Sequence, residues 1–268
     1  MSDGRRIIIG DVHGHYNGLM RLLDAIAPTE ADQVYFLGDL IDRGPGSAQV
    51  LEFVRSSGYT SLLGNHEQLL LESFPNGQRN DSAFHAWLYS GGQSTLASYE
   101  DLSVLPEQLG WLKTLPTHLD LGNIWLVHAG VHPELPIDEQ TMQEFCWIRD
   151  PFHSCTQPYF ADKLILTGHT ITFTFPKVPP GSVVKGAGWL DIDTGAYHPK
   201  SGWLSALEIN THAELTDDIL AEQTMYQVNV FKSEVRSRPL GELVVPVGPN
   251  HVRQRRRQLN QLSVSSSR

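Results

Sequence analysis

Apolar residues in this chain come as short runs that stop abruptly at polar clusters. "RIIIGDVHGH" runs three isoleucines into Asp11 and His13, and "VYFLGDLIDRG" ends in Asp39, Asp42 and Arg43. "SLLGNHE" ends in Asn65, His66 and Glu67, "NIWLVHAG" in His128 and "LILTGHT" in His169. Each run is too short for an ordinary helix, and several are β-branched or aromatic, which predicts strands. Strands apolar on both faces belong to sheets covered by helices. Between the first runs the period changes: Leu19, Leu22, Leu23 and Ile26 recur at helical spacing. Val50, Leu51 and Val54 do the same in "SAQVLEFVRSSG", which opens at Ser47 as its cap and closes at Gly58. The first third therefore reads strand, helix, strand, helix, strand. This is an α/β plan of βαβαβ type, with its polar clusters at the carboxyl ends of strands, where open sheets form their ligand crevice.

Glycine precedes Asp11, Asp39, Asn65 and His169, which lets the backbone turn out of each strand and lets neighbouring loops approach closely. Gathered at one sheet edge, Asp11, His13, Asp39, Asn65, His128 and His169 offer oxygen and imidazole donors and no thiolate. That donor set suits manganese, zinc or iron. Asp39 follows the middle strand and has two oxygens with which to bridge two ions. Two ions also account for six ligands, and together they can hold a hydroxide and clamp phosphoryl oxygens. One Gly-Asp pair, or one histidine at a strand end, is ordinarily just hydrogen-bonded. The ordered combination of five clusters is what points to a two-metal site.

Composition narrows the class. The chain has 268 residues, 40% hydrophobic and 19% charged, as expected of a soluble globular protein. No run of 18 apolar residues predicts a membrane span, and the apolar stretch in "MSDGRRIIIGD" is too brief for a signal peptide. Cys146 and Cys155 follow no metal or disulfide spacing, so reduced thiols in a cytoplasmic protein are expected. The net charge is −10, yet residues 251–268 hold five arginines and no acid, leaving 15 basic against 30 acidic side chains in residues 1–250. Such an acidic body argues against nucleic-acid partners. The basic, serine-rich tail reads as solvated and disordered. Within residues 211–250, "MYQVNVF" alternates as an edge strand, and Pro239 and Pro246 bound a loop-rich extension compatible with an added hairpin or a partner surface.

"GDVHG", "GDLIDRG", "GNHE", "VHAG" and "GHT", in that order, resemble the calcineurin-like metallophosphoesterases, and more closely the PPP family of serine/threonine protein phosphatases. "LYSGGQSTL" and "DIDTGA" are similar to that family's bacterial and lambda-phage branch. The resemblance covers about residues 7–210. It implies a four-layer αββα sandwich with a dinuclear centre at one edge. The catalytic domain would span 1–210, an extension 211–250 would lie on or beside it, and the tail would be 251–268. By the same resemblance the first ion is held by Asp11, His13 and Asp39, and the second by Asp39, Asn65, His128 and His169. The pair is expected to be manganese, with iron or zinc as alternatives. His66 is implied as general acid with Asp42 as its partner, and Arg43, Asn65 and Arg149 of "CWIRDP" as binders of the substrate phosphate. Glu67, at a helix start, is given a structural role.

The implied reaction is hydrolysis of phosphoserine or phosphothreonine, and of phosphotyrosine by extension, in protein or peptide partners, through direct attack of a hydroxide held between the ions. The alternative is a symmetrical diadenosine tetraphosphate hydrolase. That family usually has "ARGP" where this chain has "DRGP", and an aspartate in place of Glu67, and both differences favour the protein phosphatase. A non-catalytic scaffold is the third reading, and the intact ligand set argues against it.

Overall fold

Alternation along the isoleucine run decides the layering. In β1 (Arg6–Ile9), Ile7 and Ile9 point to one face of the sheet and Ile8 to the other, as the two-residue period of a strand requires. Ile7 and Ile9 join a core formed with Leu19, Leu22, Val50 and Leu51 of two helices, α1 (Tyr16–Ile26) and α2 (Ser47–Ser57). Ile8 joins a second core with Leu126, Leu166 and Leu190, which come from a different sheet. All three isoleucines are fully buried, each contributing about 1.5–3 kcal/mol.

The computed structural model describes residues 4–210 and 215–265. β2 (Gln33–Phe36) and β3 (Thr60–Ser61) continue parallel from β1, so the expected βαβαβ start is present. A second set of strands follows: β4 (His118–Asp120), β5 (Ile124–Val127), β6 (Leu164–Thr167), β7 (Val183–Gly186) and β8 (Trp189–Asp191). The last four are β9 (Trp203–Ile209), β10 (Thr224–Asn229), β11 (Val235–Pro239) and β12 (Val244–Pro246). Two mixed sheets result, in the orders β11-β10-β9-β1-β2-β3 and β12-β7-β8-β6-β5-β4. Trp125, Ile165 and Trp189 face outward from the second sheet onto Phe145, Phe152 and Val252, residues of helical segments. Helix, sheet, sheet, helix is thus the layer order, the α/β sandwich expected. Among the described residues no helix is long and apolar enough to cross a membrane.

Three local expectations differ from the structure. Gly46 stands at the N-cap of α2, while the hydroxyl of buried Ser47 accepts the Asp42 N–H at 3.0 Å; the serine serves the preceding loop instead of the helix. The "MYQVNVF" segment is no edge strand, because β10 pairs with β9 on one side and β11 on the other. The tail expected to be disordered from residue 251 lies in a helix, Pro249–Ser265. Its Val252 is seated in the outer core of the second sheet, an apolar anchor that composition alone hides. The expected boundary at 210/211 adjoins residues 211–214, and those, with 266–268 at the end of the tail, lie outside the described residues.

Candidate metal centre

The loop after β2 must bend sharply. Asp39, Asp42 and Arg43 have φ of 50°, 72° and 70°, in the left-handed region that disfavours residues with a Cβ. One side chain holds the bend. The carboxylate of buried Glu67 accepts N–H groups from Asp39 (2.9 Å), Leu40 (2.8 Å), Ile41 (3.2 Å) and Gly64 (3.0 Å). Glu67 lies in the first turn of α3 (Asn65–Ser73), so this clamp fixes the two loops together. Asp39 Oδ1 in turn accepts the His66 N–H at 3.0 Å. A Cβ on Gly64 would collide with Asp39, which is why glycine precedes Asn65.

The six expected ligands meet where the carboxyl ends of both sheets come together. His13 donates Nδ1–H to the Ile41 carbonyl at 3.0 Å, which leaves the Nε2 lone pair 3.6 Å from Asp39 Oδ2. His128 likewise donates Nδ1–H to the Leu37 carbonyl at 2.8 Å. Its Nε2 faces Asn65 Oδ1 at 3.0 Å and Asp39 Oδ1 at 3.4 Å. His169 donates Nδ1–H to Asn65 Oδ1 at 2.8 Å, and its buried Nε2 has no hydrogen-bond partner. Burial lowers the pKa of His13, His128 and His169 and favours neutral rings. Burial, then Asp193 and Asp39, push Asp11 well above the usual carboxylate range.

Lone pairs therefore face lone pairs, and buried carboxylates crowd one another. Divalent cations satisfy such a set, and the residues fit them. The donor atoms form two triads, His13–Asp39–His66 and Asp39–His128–His169, each within 4.8 Å, with Asp39 common to both. Asp11 stands outside the triads. Its two oxygens accept the His169 N–H at 3.2 and 3.1 Å, and the absence of a side chain at Gly168 makes room for it.

Beside the triads, His66 Nδ1–H donates to Asp42 Oδ2 at 2.6 Å and Arg43 Nη2 donates to His66 Nε2 at 3.0 Å. Asp42 is fully buried and also accepts from Trp87 Nε1 at 3.1 Å and Thr95 Oγ1 at 2.6 Å. Burial lowers the His66 pKa, but Asp39 and Asp42 outweigh it and the net shift is upward. The Arg43 guanidinium lies 4.0 Å from the centre of the Tyr197 ring. Arg149 Nη1 donates to the His169 carbonyl at 3.2 Å and to Thr170 Oγ1 at 2.9 Å.

These groups surround a cavity of about 130 Å³. All the expected site residues line it except Asp11, Asp42 and His128, which stand behind the wall. Five lining residues escape sequence reasoning: Asp193, Tyr197, Arg255, Ile171 and Thr174. Asp193 stands in "DIDTGAY", another apolar strand that ends in acids, a signal equal in kind to the others, whereas Tyr197 closes the same segment without one. Arg255 had none, being one arginine among five in the tail.

The family model for calcineurin-like phosphoesterase matches residues 4–201. A curated relative from Dechloromonas aromatica, 36% identical over 129 residues, is named a symmetrical bis(5'-nucleosyl)-tetraphosphatase; the match takes in 47% of this chain and 44% of that protein. One from Salmonella paratyphi C bears the same name and is 32% identical over 163 residues, 59% of this chain and 54% of the relative. The chain spans about half the length of the curated relatives it matches. Among solved structures, one assigned provisionally as a diadenosine tetraphosphatase has a TM-score of 0.57 at 23% identity, over 77% of this chain and 89% of its own. A cold-active protein-tyrosine phosphatase of a Shewanella species has 0.52 at 19%, over 88% and 82%. At such identities the likeness is one of fold. The curated relatives overturn the expectation of phosphorylated protein or peptide partners, because their name specifies a dinucleotide. The two residues that favoured a protein phosphatase, Asp42 and Glu67, do not line the cavity. They are bonded to the protein's own groups and are poor reporters of what enters it.

Proposed function

We propose, on the premise that this chain belongs to the calcineurin-like phosphoesterase family, that it is a metal-dependent hydrolase of dinucleoside tetraphosphates. Water adds to one of the two central phosphorus atoms, the bond from that phosphorus to the central bridging oxygen breaks, and two nucleoside diphosphates leave. The observation that carries the substrate is the shared name of the curated relatives at 36% and 32% identity; the observation that supports hydrolysis is the pair of triads joined at Asp39. His13, Asp39 and Asp11 on one side, and Asp39, Asn65, His128 and His169 on the other, are the residues to hold two divalent ions, which we take to be manganese. Bound there, such ions supply Lewis acidity toward phosphoryl oxygens and lower the pKa of water.

The chain's own groups do the remaining work. Arg43 and Arg149 present planar guanidinium forks that match phosphate oxygens, and Asn65 reaches the same cavity through its amide. Arg43 is parked on His66 Nε2 at 3.0 Å. A phosphate that draws Arg43 away frees that nitrogen to carry a proton, while Asp42 on Nδ1 stabilises the imidazolium. The leaving group sets how much that proton matters. A departing nucleoside diphosphate ends in a phosphate with a second pKa of about 6 and needs little help at neutral pH, whereas an alkoxide needs a full proton.

The test is manganese-reconstituted protein assayed side by side with diadenosine tetraphosphate, p-nitrophenyl phosphate and a phosphoserine peptide. ADP as sole nucleotide product, formed faster than the peptide is dephosphorylated, is the expected result. AMP with ATP as products, or faster turnover of the peptide, overturns the reading. His66→Asn is expected to slow the peptide by about 10²–10⁴-fold and the dinucleotide far less.

A further inference from the structure

The catalytic cavity is too small for the substrate assigned to it. Its volume of about 130 Å³ accommodates a phosphate, against the roughly 300–1,000 Å³ of pockets that enclose whole drug-sized ligands. A second cavity, of about 770 Å³, adjoins it and shares two wall residues, Arg149 and Arg255. Trp147 and Arg256 complete the relevant wall. Three arginines face this space against one acid, Asp150, on a chain whose net charge is −10.

Arg255 is the unusual member. It comes from the C-terminal helix Pro249–Ser265, beyond the segment that matches the family. Only 5% exposed, it donates Nε–H to Thr174 Oγ1 at 2.8 Å and Nη1–H to Asp150 Oδ1 at 3.2 Å. Its Nη2 makes no hydrogen bond to any described residue. A buried guanidinium is costly unless its donors are matched, and here part of the fork is left toward the cavities. Trp147 anchors its ring N–H on Gln68 Oε1 at 2.9 Å and contributes a half-buried indole to the same space.

We propose that the adjoining cavity is the subsite for the departing nucleoside diphosphate, with Arg255 binding its phosphates and Trp147 offering a face to the base. This rests on the dinucleotide reading for its substrate, but it makes a separate claim about where a nucleoside diphosphate binds. The site then holds the attacked phosphate between Arg43 and Arg149 and the rest of the chain between Arg149 and Arg255. Base–aromatic stacking tolerates any base, so the subsite selects the polyphosphate more than the nucleoside.

The experiment measures ADP affinity by calorimetry, and kcat/KM for diadenosine tetraphosphate and p-nitrophenyl phosphate, on the manganese-loaded full chain. Arg255→Gln is expected to weaken ADP by about tenfold, one charge-assisted contact, and to lower kcat/KM for the dinucleotide by a similar factor. The fall for p-nitrophenyl phosphate is smaller, about threefold or less by the same measure. Asp150→Asn removes the anchor of Arg255 and keeps the guanidinium, so ADP affinity stays. Arg256→Gln, at an exposed position, moves ADP in the same direction by about two- to fivefold and carries the test if Arg255→Gln fails to fold. Equal loss of ADP affinity in Asp150→Asn and Arg255→Gln makes Arg255 an anchor for the helix and overturns the subsite. If the wild type cleaves the dinucleotide and neither arginine variant changes ADP affinity, the subsite falls and the dinucleotide reading stands. If the wild type leaves the dinucleotide intact but binds ADP through Arg255, the reading falls and the subsite stands.

Discussion

At the amino end of β1, Arg5 donates to Asp32 at 2.6 Å and to Glu208 at 2.7 Å, and its remaining donors reach the carbonyls of Ile26 and Ala27 at 3.3 and 3.2 Å. Past the carboxyl end of the same strand, about 13 Å along four residues, Asp11 faces the like charges of Asp193 and Asp39, with Arg149 acting on all three carboxylates. The two ends also differ in backbone: of the residues Arg5 bonds, Ala27 alone has positive φ, 48°. His13, Asp39, Asp42, Arg43 and His169 all have positive φ, and all five belong to the site. Hydrogen bonding to Arg5 holds Asp32 well below the usual carboxylate range, while burial and like charge raise Asp11. One end is arranged for the stability of the folded chain. The other keeps charge and strain that the rest of the fold must support, as expected where chemistry is done.

The contrast breaks most sharply at Asp39, the residue common to both triads. Asp39→Asn is expected to lower kcat by about 10²–10³-fold and to reduce the divalent metal retained after reconstitution, about two ions per chain if both triads fill, read by elemental analysis after gel filtration. Full metal content with full activity would remove Asp39 from the centre. Gly168→Ala comes next. A methyl there meets Asp11, and displacing this proposed ligand is expected to cost at least the about 10–100-fold in metal affinity or rate that loss of an outer-shell partner costs; an unchanged rate would make the close approach incidental.

The smallest effects cross. Asp32→Asn should cost about 1–3 kcal/mol, a fall in melting temperature of about 2–4 °C for each kcal/mol, with catalytic rate retained. Asp11→Asn should do the reverse in chelator-treated protein, melting higher while its metal-reconstituted activity falls. The pH dependences also oppose each other. The depressed Asp32 stabilises fully above its unfolded value of about 3.9, and that benefit disappears as acid protonates it through the lower folded value. The raised Asp11 costs nothing below about 3.9, and its cost grows as pH rises toward the folded value. Melting curves of both variants against wild type from acid to neutral pH should therefore converge at low pH and diverge in opposite senses. Parallel shifts of the same sign would abolish the distinction between the two ends.

Much of the fold and most of the metal centre are legible in the sequence. Ile7, Ile8 and Ile9 announce a buried strand, and the acid or histidine after each such run marks its carboxyl end, because a strand delivers the next loop to the sheet edge whatever residues that loop contains. Substrate is not legible there. Asp42 and Glu67 are conspicuous in the sequence, but they spend their oxygens on His66, Trp87, Thr95 and backbone N–H groups, out of the cavity's reach. Tyr197 is hidden because nothing local says that it lies against Arg43. Arg255 is hidden for a different reason: its direction depends on Val252 finding a place among Phe152, Phe175 and Trp189, a tertiary fact in a segment whose composition reads as solvent-loving.

That seat for Val252 has a consequence for stability. The helix that carries it lies beyond residues 4–201, which match the family, and it is held by Val252 in the outer core and by Arg255 on Thr174 and Asp150. Truncating Val252 would therefore loosen the helix and, three positions on, the guanidinium that lines the wall of the metal-centre cavity.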